Sequence, residues 1–144
     1  MYVKTDPRST MASASPAGKK KAPTEFGPSY YGRFYDEEPQ QRADKANHWY
    51  IRSQNAVLSY SRVKDGAELV RDVQPDEFAF LIPDHLTSAE ITAGGETVKV
   101  KGPSVTFVPP GKSVIKVSGE GGLVRVFTAQ AADLVELCSN AKGY

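Results

Sequence analysis

The chain has 144 residues, with 18 Lys and Arg against 17 Asp and Glu, a net charge of +1 and one cysteine, the size and balance of one ordinary domain. So even a balance gives no broad field for nucleic acid or an anionic membrane, and Cys138 alone supports neither an intrachain disulfide nor a multi-thiolate zinc site. No run approaches the roughly 20 apolar residues of a membrane helix or the apolar centre of a signal peptide, so no membrane is expected and a reducing, cytoplasmic setting is.

Residues 1–45 contain no Leu or Ile, one Val and half of the ten prolines. Such a segment cannot offset its ordering entropy with a core of its own, so it reads as a flexible tail or arm ahead of a single domain over 46–144. Met11 reads as an alternative start, which leaves residues 1–10 without functional weight. The run Lys19, Lys20, Lys21 reads as a solvated part of a linker. The patch YYGRFYDEEP differs, because Tyr30, Tyr31, Phe34 and Tyr35 carry large apolar rings that need a surface. That surface is either the chain's own domain, a sister subunit or a separate partner.

From Asn47 onward, short alternating runs rich in β-branched and aromatic residues predict strands. They are HWYIR, AVLSYSRV, ELVRDV, EFAFLI, SAEIT, TVKV, SVTFV, SVIKV and LVRVFT, separated by Gly, Pro and Asp turn signals. About nine short strands in under a hundred residues point to a sandwich or jelly roll. Only AADLVELC, residues 131–138, has helical apolar spacing, with Leu134, Leu137 and Cys138 on one face.

The segment GPSVTFVPPGKSV resembles the second motif of the cupin superfamily, in which a glycine leads through an apolar strand to Pro-x-Gly and then a histidine. Gly102, Pro109, Pro110 and Gly111 match, with one extra residue between Gly102 and Pro109, and the histidine position falls on Val114. Upstream, ELVRDVQPDEFAFLIPD is similar to the first motif, a His-x-His pair before a glutamate, an apolar strand and a glycine. Aligning the glutamate on Glu77 puts the histidine positions at Arg71 and Val73, or at Val70 and Asp72 with the longer gap, and the glycine at Asp84. The resemblance spans roughly residues 47–128. It implies an all-β, single-domain, cupin-type jelly-roll β-barrel of the RmlC-like kind, with an extended N-terminal arm and a short C-terminal helix.

The departures carry the functional reading. Metal cupins hold their ion with imidazoles and one carboxylate, and here only the carboxylate is kept, with a permanent cation at Arg71. No metal and no cofactor are therefore expected. His48 and His85 share no ligand spacing, and neither is expected in the pocket. With Glu77 pointing inward, period-2 alternation sends Ala79 and Leu81 inward and turns Phe78, Phe80 and Ile82 outward, where the arm or a second subunit would have to cover them. Arg71 and Val73 share the inner face, and Arg71 could pair there with Glu77. Val114 shares a face with Lys116, although Ile115 and Val117 suit a core better.

Three functions follow as expectations. The first is a metal-free protein that binds a small organic ligand, or serves as an accessory homodimer, with Arg71, Glu77, Tyr60, Val114 and Lys116 as ligand-binding candidates. The resemblance adds that such cupins are commonly dimers. The second is a metal-independent isomerase or epimerase using Glu77 as base and Tyr60 as donor. The third is partner binding through the aromatic arm.

Overall fold

The structure is a computed structural model, and it describes residues 30–143; Met11 and the Lys19–Lys21 run lie outside them. Ten strands come first: β1 (Gln41–Ala43), β2 (Ala46–Arg52), β3 (Ala56–Val63), β4 (Glu68–Arg71), β5 (Phe78–Ile82), β6 (Ser88–Ala93), β7 (Glu96–Lys101), β8 (Ser104–Val108), β9 (Ser113–Ser118) and β10 (Gly121–Thr128). A single helix, α1 (Ala132–Leu137), follows them. All nine expected strands and the helix are present. The additional strand, β1, lies on the arm side of the compositional boundary and pairs with β2 across the Asp44-Lys45 turn.

The strands form two antiparallel sheets, one in the order β1-β2-β3-β10-β5-β8 and the other in the order β4-β9-β6-β7. They do not close into a barrel. A common core lies between them, with β2, β3, β5, β8 and β10 of the large sheet supplying Tyr50, Val57, Phe78, Phe80, Ile82, Val108, Leu123 and Phe127, and β4, β6 and β9 of the small one supplying Leu69, Ile91, Ile115 and Val117. Helix α1 closes one end by inserting Leu134, with Cys138 buried just beyond it. Burial pushes the Cys138 thiol's pKa up to about 11, so it stays protonated and unreactive.

The inward-facing set on β5 is the reverse of the one expected from Glu77. Phe78, Phe80 and Ile82 are buried, with at most 1% of their surface exposed, while Ala79 and Leu81 face the other way and Glu77 is exposed just ahead of the strand. A one-residue change of register turns every side chain over. The energetic choice is clear, because burying each large apolar side chain gains about 1.5–3 kcal/mol, whereas an inward carboxylate would need a buried counterion.

One glycine of the second motif is required by close packing. A Cβ on Gly102 would sit 1.8 Å from the carbonyl oxygen of Asp84 and 2.5 Å from Ile82 Cγ2. The Asp84 carboxylate accepts the backbone N–H groups of Leu86 and Thr87 at 2.8 and 2.9 Å. This turn, in place of the motif's glycine, fixes the loop that Gly102 must approach.

The arm uses part of its aromatic surface on the outer face of the large sheet. Phe34 stacks on Tyr60 with centroids 5.2 Å apart and planes 7° from parallel, beside Trp49. Trp49 Nε1 donates to the Glu37 carbonyl at 2.8 Å. Tyr31 and Tyr35 remain more than four-fifths exposed.

Candidate functional site

The candidate site is a cavity of about 270 Å³ at the α1 end of the space between the sheets. Alternation along β2 turns His48 and Tyr50 inward while Trp49 and Ile51 face the other side. On β3 the same rule turns Ser59 and Ser61 inward, and on β10 it turns Arg125 inward between Leu123 and Phe127. Arg71 enters from the end of β4, and Asp133, Leu134 and Leu137 of α1 close the cavity. The lining thus divides into a cationic and hydroxyl-bearing wall and an apolar wall made of Leu69, Leu134 and Leu137.

The two arginines are held very differently. Arg71 donates Nη1 and Nη2 to the Asp133 carboxylate at 2.5 and 3.2 Å, and Nε to Gln74 Oε1 at 3.1 Å. That fork holds the Asp133 carboxyl below its ordinary range, with the Arg71 hydrogen bond as the main cause. Arg125 is only 5% exposed, its Nη2 reaches Ser59 Oγ at 3.3 Å, and its Nε has no hydrogen-bond partner among the described residues. Desolvation pushes its pKa down, and the Tyr50 hydroxyl offsets part of that. Both guanidinium carbons lie over the Phe127 ring, 5.7 Å from its centroid for Arg71 and 5.5 Å for Arg125.

His48 completes the polar wall, with Nδ1 at 2.8 Å from Ser61 Oγ. Burial, reinforced by the Arg125 charge, lowers its pKa from 6.5 to about 4. The ring is therefore neutral at physiological pH and adds no further cation beside the guanidiniums.

Of the expected site residues, only Arg71 lies in this cavity, and its partner is Asp133, not Glu77. Tyr60 lies on the outer face of the large sheet against Phe34, because it alternates with the inward Ser59 and Ser61. Val114 and Lys116 lie on the outer face of the small sheet, where Lys116 Nζ is 3.7 Å from Glu68, while Ser113, Ile115 and Val117 point inward. Val73 is 77% exposed and His85 is exposed. His48, by contrast, enters the cavity, contrary to expectation. Glu77 and Tyr60 are thus not brought together as an acid–base pair. The residues missed were His48, Tyr50 and Arg125, and the signal for the last was legible: an arginine in the centre of LVRVFT, where both strand faces are apolar.

These residues do not fit a divalent cation. The only imidazole lining the cavity is His48, and the Asp133 carboxylate is already taken by Arg71. Two guanidiniums would repel the ion. Among the described residues no group of three or more His, Cys, Asp and Glu forms a candidate cation site. A wider groove of about 540 Å³ runs under the arm between Phe34, Trp49, Tyr60, Arg42 and Arg62. Its charged groups are open to solvent, so it lacks the buried, unpaired charge that sets the inner cavity apart.

No family model and no curated protein sequence matches this chain. Solved structures do. An RmlC-like cupin from Shewanella frigidimarina superposes with a TM-score of 0.60 at 13% identity, over 74% of this chain and 96% of that one. KdgF from a Halomonas species gives 0.57 at 10% identity, over 74% and 97%. A cupin superfamily protein from Desulfitobacterium hafniense gives 0.51 at 18% identity, over 61% and 81%. Structural likeness at such low sequence identity speaks to the fold alone, and what these neighbours share with the two sheets described above shows that this chain has the cupin-type, RmlC-like jelly-roll fold.

Proposed function

We propose that this protein is a metal-free, cupin-like homodimer that binds a small organic ligand between its two sheets. The observation that carries the reading is the lining of the inner cavity, where Arg71, Arg125, His48 and Tyr50 supply polar anchors and Leu69, Leu134 and Leu137 an apolar wall. The lining carries more polar than apolar surface, so convergent polar groups, more than apolar burial, would fix a small molecule there. The one thiol, Cys138, is buried and free, in keeping with a reducing, cytoplasmic location as part of the proposal. Purification without chelator or affinity tag tests the reading, followed by elemental analysis and mass spectrometry of small molecules released on denaturation. The expected result is far less than one metal per chain. Stoichiometric iron, manganese, nickel or zinc would overturn it.

The dimer rests on the outer face of the large sheet. Val105 and Phe107 on β8 are 59% and 69% exposed, and they pair across Leu81 and Ala79, which in turn lie beside Val124 and Val126. The arm covers the β2–β3 end of this face at Tyr60 and Trp49, leaving the β5–β8 end for a second copy. Light scattering is expected to give twice the 15.6 kDa chain mass, and Phe107→Glu to return it to one. A monomeric wild type would contradict the proposal.

A second reading, a metal-independent isomerase, draws on His48 and Tyr50, which share the cavity with ring centroids 6.3 Å apart. A base with a pKa of about 4 is poorly matched to proton abstraction at neutral pH, so ligand binding is the stronger conclusion.

A further inference from the structure

We propose that the ligand is a small organic carboxylate whose anionic group pairs with Arg125 and whose apolar body rests against Leu69, Leu134 and Leu137. This names the ligand class for the cavity described above and rests on that reading. Arg125 is the reason. A guanidinium offers five N–H donors, and Arg125 uses few of them: it has a long contact to Ser59 Oγ and a side-chain hydrogen bond with Tyr50, while Nε is unsatisfied and there is no ion pair among the described residues. Two carboxylates line the cavity, and both are spoken for: Asp133 by Arg71, and Glu68 by Lys116 on the outer face. A buried cation without a counterion is expensive to maintain. A carboxylate is the matching shape, because its two oxygens meet the planar fork of an arginine side by side.

The rest of the cavity agrees with this assignment. His48 stays neutral and engages Ser61, so it does not compete for the anion as a second cation, while Tyr50 adds a hydroxyl on the same wall. Tyr50 Oη is tied to Gln41 Oε1 at 2.8 Å, which fixes its position. Arg71 and Asp133 line both this cavity and an open depression with Val70, Val73 and Pro75. Their ion pair therefore stands between the cavity and the outside, and its internal neutralisation leaves Arg125 as the anchor.

Titration of the full-length protein with benzoate and with benzamide, its neutral isostere, tests the proposal by calorimetry and by NMR of the His48, Tyr50 and Phe127 rings. Benzoate is expected to shift these rings saturably and to bind at least tenfold more tightly than benzamide. Arg125→Met is expected to abolish that preference while its spectrum stays that of a folded protein. Equal affinity for the two compounds would overturn the carboxylate assignment but leave the cavity reading standing. Benzoate that leaves all three rings unperturbed up to millimolar concentration would overturn both. A preference that survives in Arg125→Met would overturn Arg125 as the anchor.

Discussion

Arg125→Met is expected to stabilise the ligand-free protein, by up to about 4 kcal/mol, the upper end of the range seen when a buried ion pair or triad is replaced by apolar side chains of similar size. Two opposing effects decide the sign. The guanidinium gains a long contact to Ser59, a side-chain hydrogen bond with Tyr50 and a position over Phe127, each worth on the order of 1 kcal/mol. Against these stands the desolvation of a full charge with an orphaned Nε, which costs several kcal/mol even after relaxation. Methionine is flexible enough to fill the gap between Leu123 and Phe127 without a large cavity. Urea unfolding gives the answer as a higher midpoint at unchanged slope. A loss of stability would mean that Arg125 is part of the scaffold, held by its neighbours, and is not maintained for a ligand.

The second large effect is a pH dependence that belongs to His48. In the unfolded chain its imidazole takes up a proton near pH 6.5, and in the folded protein only near about 4. Between those values the unfolded state binds more protons, so stability falls as the pH is lowered. The stability associated with the neutral buried ring is complete above pH 6.5 and declines through the window down to about 4. Going from pH 7 to pH 5 is expected to cost about 2 kcal/mol from this group. The difference is read by comparing wild type with His48→Gln, in which the carboxylates common to both proteins cancel and Gln retains a partner for Ser61. Identical pH profiles for the two proteins would contradict the assignment.

Much of the fold was legible from the strand pattern, and most of the site was not, for one physical reason. Runs such as AVLSYSRV and SVIKV carry enough alternation to mark strands but not the inward face: Tyr60, Val114 and Lys116 are the pocket candidates from sequence, whereas the structure turns Ser59, Ser61, Ile115 and Val117 inward. The run EFAFLI is apolar on both faces, so periodicity does not choose between them, and fixing the face by a glutamate aligned to a metal motif inverted it. Burial of two phenylalanines and an isoleucine outweighed the motif. Tyr60 shares its face with Arg62, and that face is turned outward because the aromatic arm packs on it through Phe34. Arg125 is the single charged residue of a mostly apolar strand, and His48 lies in β2 between Asn47 and Trp49. What brings them together is β3, which pairs with β2 on one side and β10 on the other, a long-range adjacency that local spacing does not carry.

The lack of metal ligands at the motif positions also has a different physical basis from a simple vacancy. Arg71, aligned to a histidine position, points inward and is neutralised by the C-terminal helix through Asp133. With Arg71 neutralised, the buried charge of Arg125 is the feature on which the proposed anion site rests.

The most direct measurement is an NMR titration of the His48 ring with and without saturating benzoate. The groups facing that ring and its cavity are Arg125 on β10, Arg71 and Glu68 on β4, Tyr50 on β2, Ser61 on β3 and Asp133 on α1. In the ligand-free protein the ring is expected to titrate near about 4, and a carboxylate seated on Arg125 is expected to raise that value by screening the positive field and favouring the imidazolium. A His48 pKa unmoved by bound benzoate would contradict an anion site at Arg125.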